Sequence, residues 1–263
     1  MNKKSILVIC IFLITFVFSV NAQYDFEKYP AIKYQQEKKW RIIKADSNKV
    51  IYSVTFPGFY KNHDELTLKY TFTGDSAKSI IRLYRNKQII QKFKAPGSEF
   101  IRLMDTIDME APVMVMDING DSLSDIKIFI PNFIRCGAYN YYANVIYFFQ
   151  DTIGKFKKIS YHDGFYSDAD TVGEDTIINR PERDFDGDGN YEIITQTFQN
   201  YKGHSYWVYN LYNYKEGKLV NVNEKADYPI MVQLLYRENF SITNKLSRQE
   251  MKKFTAKHPD YSW

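Results

Sequence analysis

Asp184-Phe185-Asp186-Gly187-Asp188-Gly189-Asn190-Tyr191-Glu192 runs directly into Ile193-Ile194-Thr195, so a nine-residue acidic loop opens an apolar, β-branched strand. Oxygen-bearing side chains stand at positions 1, 3, 5 and 9 of that loop. Sixty-seven residues earlier, Asp117-Ile118-Asn119-Gly120-Asp121-Ser122-Leu123-Ser124-Asp125 has the same spacing and leads into Ile126. The correspondence continues downstream. Asp125-Ile126, Gly137, Tyr147-Phe148-Phe149 and Gly154-Lys155-Phe156 align with Glu192-Ile193, Gly203, Tyr212-Asn213-Tyr214 and Gly217-Lys218-Leu219. Each copy reads as an acidic loop, a strand, a long connection through a glycine, an aromatic strand, a Gly-Lys turn and a closing strand. Units of about four strands are the size at which propeller blades and other stacked sheets repeat. The expectation is a mainly β chain, with antiparallel sheets in propeller-like or stacked repeats.

Working outward from the repeat, apolar residues recur every second position, the mark of half-buried strands. They predict strands at Val50 to Phe56, Leu66 to Phe72, Ser79 to Tyr84 and Gln88 to Phe93, the last two joined by a turn at Arg85-Asn86-Lys87. Further strands are predicted at Phe100 to Leu103, Val113 to Met116, Ile126 to Ile130, Val145 to Phe149 and Phe156 to Ser160, and then at Tyr191 to Phe198, Tyr206 to Tyr214, Leu219 to Val222 and Ile230 to Leu235. Ser247 with Glu250 three residues on forms a capping box before Met251 to Ala256 and predicts a short C-terminal helix there. A weaker helical pattern covers Ala31 to Ile43, with Lys38-Lys39-Trp40-Arg41 as its solvated face. The organisation is therefore 1–22 export signal, 23–47 N-terminal helical segment, 48–110 N-terminal β region, 111–223 duplicated β region and 224–263 C-terminal strand and helix.

Residues 1–22 have a basic start at Lys3-Lys4, an apolar stretch from Ile6 to Val20 and small residues in Val20-Asn21-Ala22, the pattern of a cleaved signal. That stretch is shorter than the roughly 20 apolar residues of a spanning helix, so the mature chain is expected to be periplasmic or secreted with no membrane span. The 263-residue chain is 44% hydrophobic and 17% aromatic, which excludes disorder. Loss of Lys3 and Lys4 takes the net charge from +4 to +2, leaving no global attraction to nucleic acid. Cys10 leaves with the signal and Cys136 is left without an intramolecular partner. An exported chain without disulfides gains from another cross-link, such as a metal.

The loops supply candidates for one. Alternate spacing lets a tightly turning backbone aim Asp117, Asn119 and Asp121, or Asp184, Asp186 and Asp188, at one point. The carbonyls of Leu123 and Asn190 and the carboxylates of Asp125 and Glu192 can complete each shell. Hard oxygen donors without His or thiolate select Ca²⁺. A single D-x-D-G is commonly a polar turn, whereas two full copies at matching positions argue for ion loops. Ser122 stands at position 6, where Gly189 of the other copy eases the turn.

The pattern D-x-[DN]-x-D-G-x-x-[DE]-[IL] before an apolar strand resembles the calcium loops of FG-GAP and VCBS-type repeats, over about Val113 to Asn223. That resemblance implies metal loops at Asp117, Asn119, Asp121, Asp125 and at Asp184, Asp186, Asp188, Glu192. Calcium held there is expected to fix the Gly- and Tyr-containing connections as a surface of an exported binding module for a protein or glycan partner. A full propeller would carry more than two such loops. More narrowly, the chain is similar to exported calcium-binding lysozyme-inhibitor-like proteins, in which a Ser-Gly-x-Tyr loop can plug the lysozyme cleft; Cys136-Gly137-Ala138-Tyr139 has the Gly and Tyr, with Cys in place of Ser.

No catalytic set emerges. His63, His162, His204 and His258 are scattered, and neither H-E-x-x-H, C-x-x-C, G-x-S-x-G, a P-loop nor a dinucleotide fingerprint occurs. A glycan hydrolase using some of the same Asp and Glu residues is the competing reading. The aromatic runs Tyr139, Tyr141, Tyr142, Tyr147, Phe148, Phe149 and Tyr201, Tyr206, Trp207, Tyr209, Tyr212, Tyr214 predict one face in the core and the other free to line a recognition surface. The acidic stretch Asp168 to Asp175 reads as a solvated loop.

Overall fold

The computed structural model describes residues 28–46, 49–73, 78–95, 112–131, 143–163, 182–233, 241–242 and 246–255. In chain order its strands are β1 (Gln36–Lys38), β2 (Arg41–Asp46), β3 (Lys49–Phe56), β4 (Leu66–Thr73), β5 (Ile80–Arg85), β6 (Gln88–Lys94), β7 (Val113–Met116) and β8 (Asp125–Pro131). They continue with β9 (Ala143–Gln150), β10 (Phe156–Asp163), β11 (Glu182–Arg183), β12 (Glu192–Tyr201), β13 (His204–Lys215), β14 (Lys218–Asn221), β15 (Ile230–Gln233) and β16 (Ser241–Ile242). One helix, α1 (Arg248–Met251), follows, and the Ser247–Glu250 capping box starts it. The predicted strand at Phe100 to Leu103, the signal, Cys10, Cys136 to Tyr139, Tyr141, Tyr142, Asp168 to Asp175 and His258 lie outside the described residues.

Three antiparallel sheets result: an N-terminal sheet of order β2-β3-β4-β5-β6, a middle sheet β1-β7-β8-β9-β10 and a C-terminal sheet β11-β12-β13-β15-β16, with β14 also on β13. Among the described residues they do not close into a ring. The middle sheet is covered on both sides. Val113, Val115, Ile126, Ile128, Ile146 and Phe148 join the core with the N-terminal sheet, while Met114, Met116, Val145, Tyr147 and Phe149 join the core with the C-terminal sheet. Strand alternation sends neighbouring residues to opposite faces, which is why runs such as Val113-Met114-Val115-Met116 are apolar throughout. The far face of the C-terminal sheet is covered in part by α1, where Tyr206, Val208 and Met231 meet Leu246 and Met251.

Two expectations need correction. Ala31 to Ile43 forms no helix: Gln36–Lys38 and Arg41–Asp46 are strands. The pattern was mixed because β1 pairs with β7 while β2 pairs with β3 in a different sheet. Trp40 between them is buried against Tyr52 and Tyr70 rather than lying on a solvated helix face. The sheets of the duplicated region also take in strands from outside it: β1 completes the middle sheet, and β15 and β16 extend the C-terminal one. Finally, no long connection passes through Gly203. β12 and β13 run the full length of a hairpin closed by Lys202-Gly203, both with positive φ (50° and 77°), the backbone of a two-residue hairpin turn.

Most of the described residues of the aromatic runs are consumed by packing. Tyr147, Phe148, Phe149, Tyr206, Trp207, Tyr209 and Tyr212 are all buried, and the Phe149 and Tyr214 rings stack between the two sheets at 3.6 Å. Layers on both sides of the middle sheet leave β9 no free aromatic face, while Phe198, Tyr201 and Tyr214 of the C-terminal sheet stay half-buried.

Candidate metal centre

The first acidic loop joins β7 to β8 and the second joins β11 to β12, so both occupy the same place in a repeated antiparallel unit. Their internal wiring is the same position by position. The position-1 carboxylate accepts the amides of positions 4 and 6: Asp117 from Gly120 and Ser122 (2.9 and 2.8 Å), Asp184 from Gly187 and Gly189 (2.7 and 3.3 Å). The position-5 carboxylate accepts the amide of position 7, Leu123 to Asp121 and Asn190 to Asp188, each at 2.8 Å. The position-9 carboxylate reaches back to the amide of position 2, Ile118 to Asp125 at 3.1 Å and Phe185 to Glu192 at 2.9 Å. Positions 4 and 6 are left-handed in both loops: Gly120 and Ser122 at φ 72° and 64°, Gly187 and Gly189 at 77° and 80°.

The loops also touch. Tyr191 donates its amide to the Ile118 carbonyl at 2.8 Å, and a Cβ on Gly120 would stand 2.9 Å from the Gly189 carbonyl oxygen. Beneath them, Lys127 of β8 and Glu182 of β11 form an ion pair at 2.8 Å with both side chains fully buried, and the Tyr147 hydroxyl donates to the same Glu182. Lys127 lies two residues after the first loop and Glu182 two before the second. Isolated charges at such depth would be strongly disfavoured, so each holds the other in place.

Carboxylate oxygens of Asp184, Asp186 and Asp188 all lie within 4.8 Å of one another, a cluster that could hold a metal ion. Asp184 is half-buried, and Asp186 and Asp188 are exposed. In the first loop Asn119 replaces one acid and donates to Asp121 at 3.0 Å. Burial pushes the Asp125 carboxyl up to about 8; amides from Gln150 and Ile118 oppose this and the charges of Asp121 and Asp117 add to it. Burial likewise raises Asp117, against the Ser122 amide.

Sequence reasoning did not find Lys225. It sits on a one-turn 3-10 helix, Asn223–Lys225, after β14, and its ammonium approaches Asp186 (2.5 Å), Glu192 (2.7 Å) and Asp188 (3.8 Å). Burial pulls that ammonium down in pKa, but Asp186 and Glu192 outweigh it and leave the group above the usual lysine value. Through the same contact Lys225 holds Asp186 below the usual carboxylate range. Nothing near the acidic motif signals this lysine, because the β12–β13–β14 meander brings it back from more than thirty residues downstream.

The described histidines do not assemble. His63 lies in a turn after β3, His162 within β10 and His204 at the start of β13, and alternation along β10 turns His162 and Asp163 to opposite faces. Among the described residues no helix is long and apolar enough to cross a membrane. Searched against known protein families, curated proteins and solved structures, the chain matches none.

Proposed function

We propose that this is an exported β protein whose two acidic loops take Ca²⁺, in the manner of the FG-GAP and VCBS-type repeats that the motifs resemble, and that it serves as a binding module for a protein or glycan partner. The observation that carries the reading is the Asp184, Asp186 and Asp188 cluster, wired identically to the Asp117 loop that touches it. Asp184, Asp186, Asp188, Glu192 and the Asn190 carbonyl would hold one ion. Asp117, Asn119, Asp121, Asp125 and the Leu123 carbonyl would hold the other. The donor set fits: it is all oxygen, and the second loop already draws a cationic side chain among its acids. Bound calcium supplies two positive charges that offset repulsion among the carboxylates. The protein's own part is to hold the acids in register through loop amides and to fasten two loops to neighbouring sheets, so the ion's role is structural.

Calorimetric titration of the mature protein tests this. The expected result is calcium binding in the wild type with loss of one site in Asp186→Ala. At calcium a hundredfold above Kd the folded state should gain about 2.7 kcal/mol per site, a rise of roughly 5–10 °C in Tm for a domain of this size. Equal Tm in chelator and in millimolar calcium would overturn the metal assignment. Lysozyme-inhibition and glycan-array assays then divide the partner classes, and turnover of a glycan substrate would favour the hydrolase instead.

A further inference from the structure

Lys225 touches three of the four acidic side chains of the second loop, at positions 3, 5 and 9, with its ammonium closest to Asp186 and Glu192. It is delivered there by a firmly held turn. Buried Asn223 accepts the Leu211 amide at 2.8 Å and donates to Asn210 at 2.9 Å, and its carbonyl accepts the Tyr228 amide at 2.9 Å. Tyr228 in turn sets its ring edge against Phe185, position 2 of the same loop. The first loop has no counterpart: among the described residues no lysine or arginine pairs with Asp117, Asp121 or Asp125, and the free oxygen of Asp125 goes to the Gln150 amide at 2.9 Å. The second loop carries one more carboxylate than the first, and Lys225 brings the two to equal formal charge.

A cation and an ammonium that need the same oxygens cannot both have them, since like charges a few ångström apart repel. We propose that Lys225 is a tethered competitor for the cation of the second loop, so that a divalent ion binds there by expelling the lysine into solvent. This rests on reading the second loop as a calcium loop. The lysine then lowers the affinity of the second loop below what its four acids would otherwise give, as ligand charge sets affinity in calcium loops. Occupancy is reported by a freed amine on the connection after β14.

The test uses the mature protein carrying Asp121→Ala, so that the second loop alone reports. Calcium affinity is measured for Lys225, Lys225→Met and the charge-preserving Lys225→Arg. In parallel, Lys225 of the wild type is labelled with acetic anhydride and read by mass spectrometry, with and without millimolar calcium. The expected result is roughly tenfold tighter binding or more in Lys225→Met, no tightening in Lys225→Arg, and labelling of Lys225 that rises with calcium while that of Lys202, paired with Glu250 far from the loop, does not. Affinity in Lys225→Met equal to or weaker than wild type, with labelling unmoved by calcium, would make Lys225 a fixed strut and overturn the proposal. Binding in Lys225→Met alone would uphold competition while removing calcium as the wild-type ligand of this loop. Binding in none of the three would overturn both readings.

Discussion

The two acidic loops share their left-handed positions and their backbone amide-to-carboxylate hydrogen bonds, yet they settle their charge differently. In the first, neutral groups answer the acids: Asn119 for Asp121 and the Gln150 amide for Asp125. In the second, Asp186 stands where Asn119 does and a lysine from outside the loop answers it and Glu192. The contrast teaches that the nine-residue spacing fixes geometry while neighbours decide electrostatics. A charge added inside such a loop is matched from the strand meander behind it.

The contrast has a shared foundation that can be broken first. Lys127→Met would strip Glu182 of its buried partner and cut the tie between the strand leaving the first loop and the strand leading into the second. Uncompensated burial of a carboxylate predicts a loss of about 3–5 kcal/mol. Replacing both, Lys127→Met with Glu182→Leu, should recover most of it in urea unfolding. Failure of the pair to recover would mean that the tie itself, and not the stranded charge, holds the loops together.

Position 4 sharpens the comparison, because the same substitution meets different surroundings. Gly120→Ala would drive a Cβ to 2.9 Å from the Gly189 carbonyl, whereas Gly187→Ala meets nothing within 4 Å. Both suffer the left-handed backbone, about 1–2 kcal/mol, and only the first adds overpacking of about 1–3 kcal/mol. Chemical denaturation should rank Gly120→Ala as clearly the more damaging. Equal losses would show that the loops do not press on each other.

At position 6 the sign reverses. Ser122 holds φ 64° where the second loop has Gly189 at 80°. Ser122→Gly relieves that strain but frees the unfolded chain, so a net gain below about 1 kcal/mol is expected, against a loss for Gly189→Ser. This irregularity was legible in the sequence, as were the loop spacing, the repeated strands and the capping box at Ser247, because each depends on residues a few positions apart. What could not be read depends on long-range return of the chain. The strands at Gln36–Lys38 and Arg41–Asp46 carry no clean alternation, since each is defined by a partner in a different sheet. Lys225 reaches Asp186 only because β14 brings it there, and the aromatic runs gave no hint that both faces of the middle sheet would be covered.

A third acidic turn offers the smallest and most discriminating effect, because its carboxylate is fully answered by protein donors. Asp64 accepts from Asn86 (2.5 Å), Asn62 (2.7 Å) and Arg85 (2.7 Å). Those bonds, the Asn86 amide foremost, hold it down at about 2 against an ordinary 3.8. Glu250 is likewise held at about 2, from an ordinary 4.5, by Lys202 and the Ser247 cap. A folded-state pKa below the unfolded value means the folded chain binds the proton less readily. The stabilisation is therefore complete above pH 4.5 and is lost as pH falls toward 2. Both groups are half-buried at the surface, within reach of solvent, so the effect is modest: between pH 5 and 2.5 the Tm of Asp64→Asn should fall slightly less than that of the wild type. Because Asp64 already has its donors, that difference should be the same in chelator and in calcium, whereas Asp186→Asn, at a carboxylate that Lys225 already holds low, should change the acid sensitivity by different amounts in the two conditions. A calcium-dependent difference at Asp64 would erase the distinction between a carboxylate served by the protein alone and one proposed to exchange its lysine for a cation.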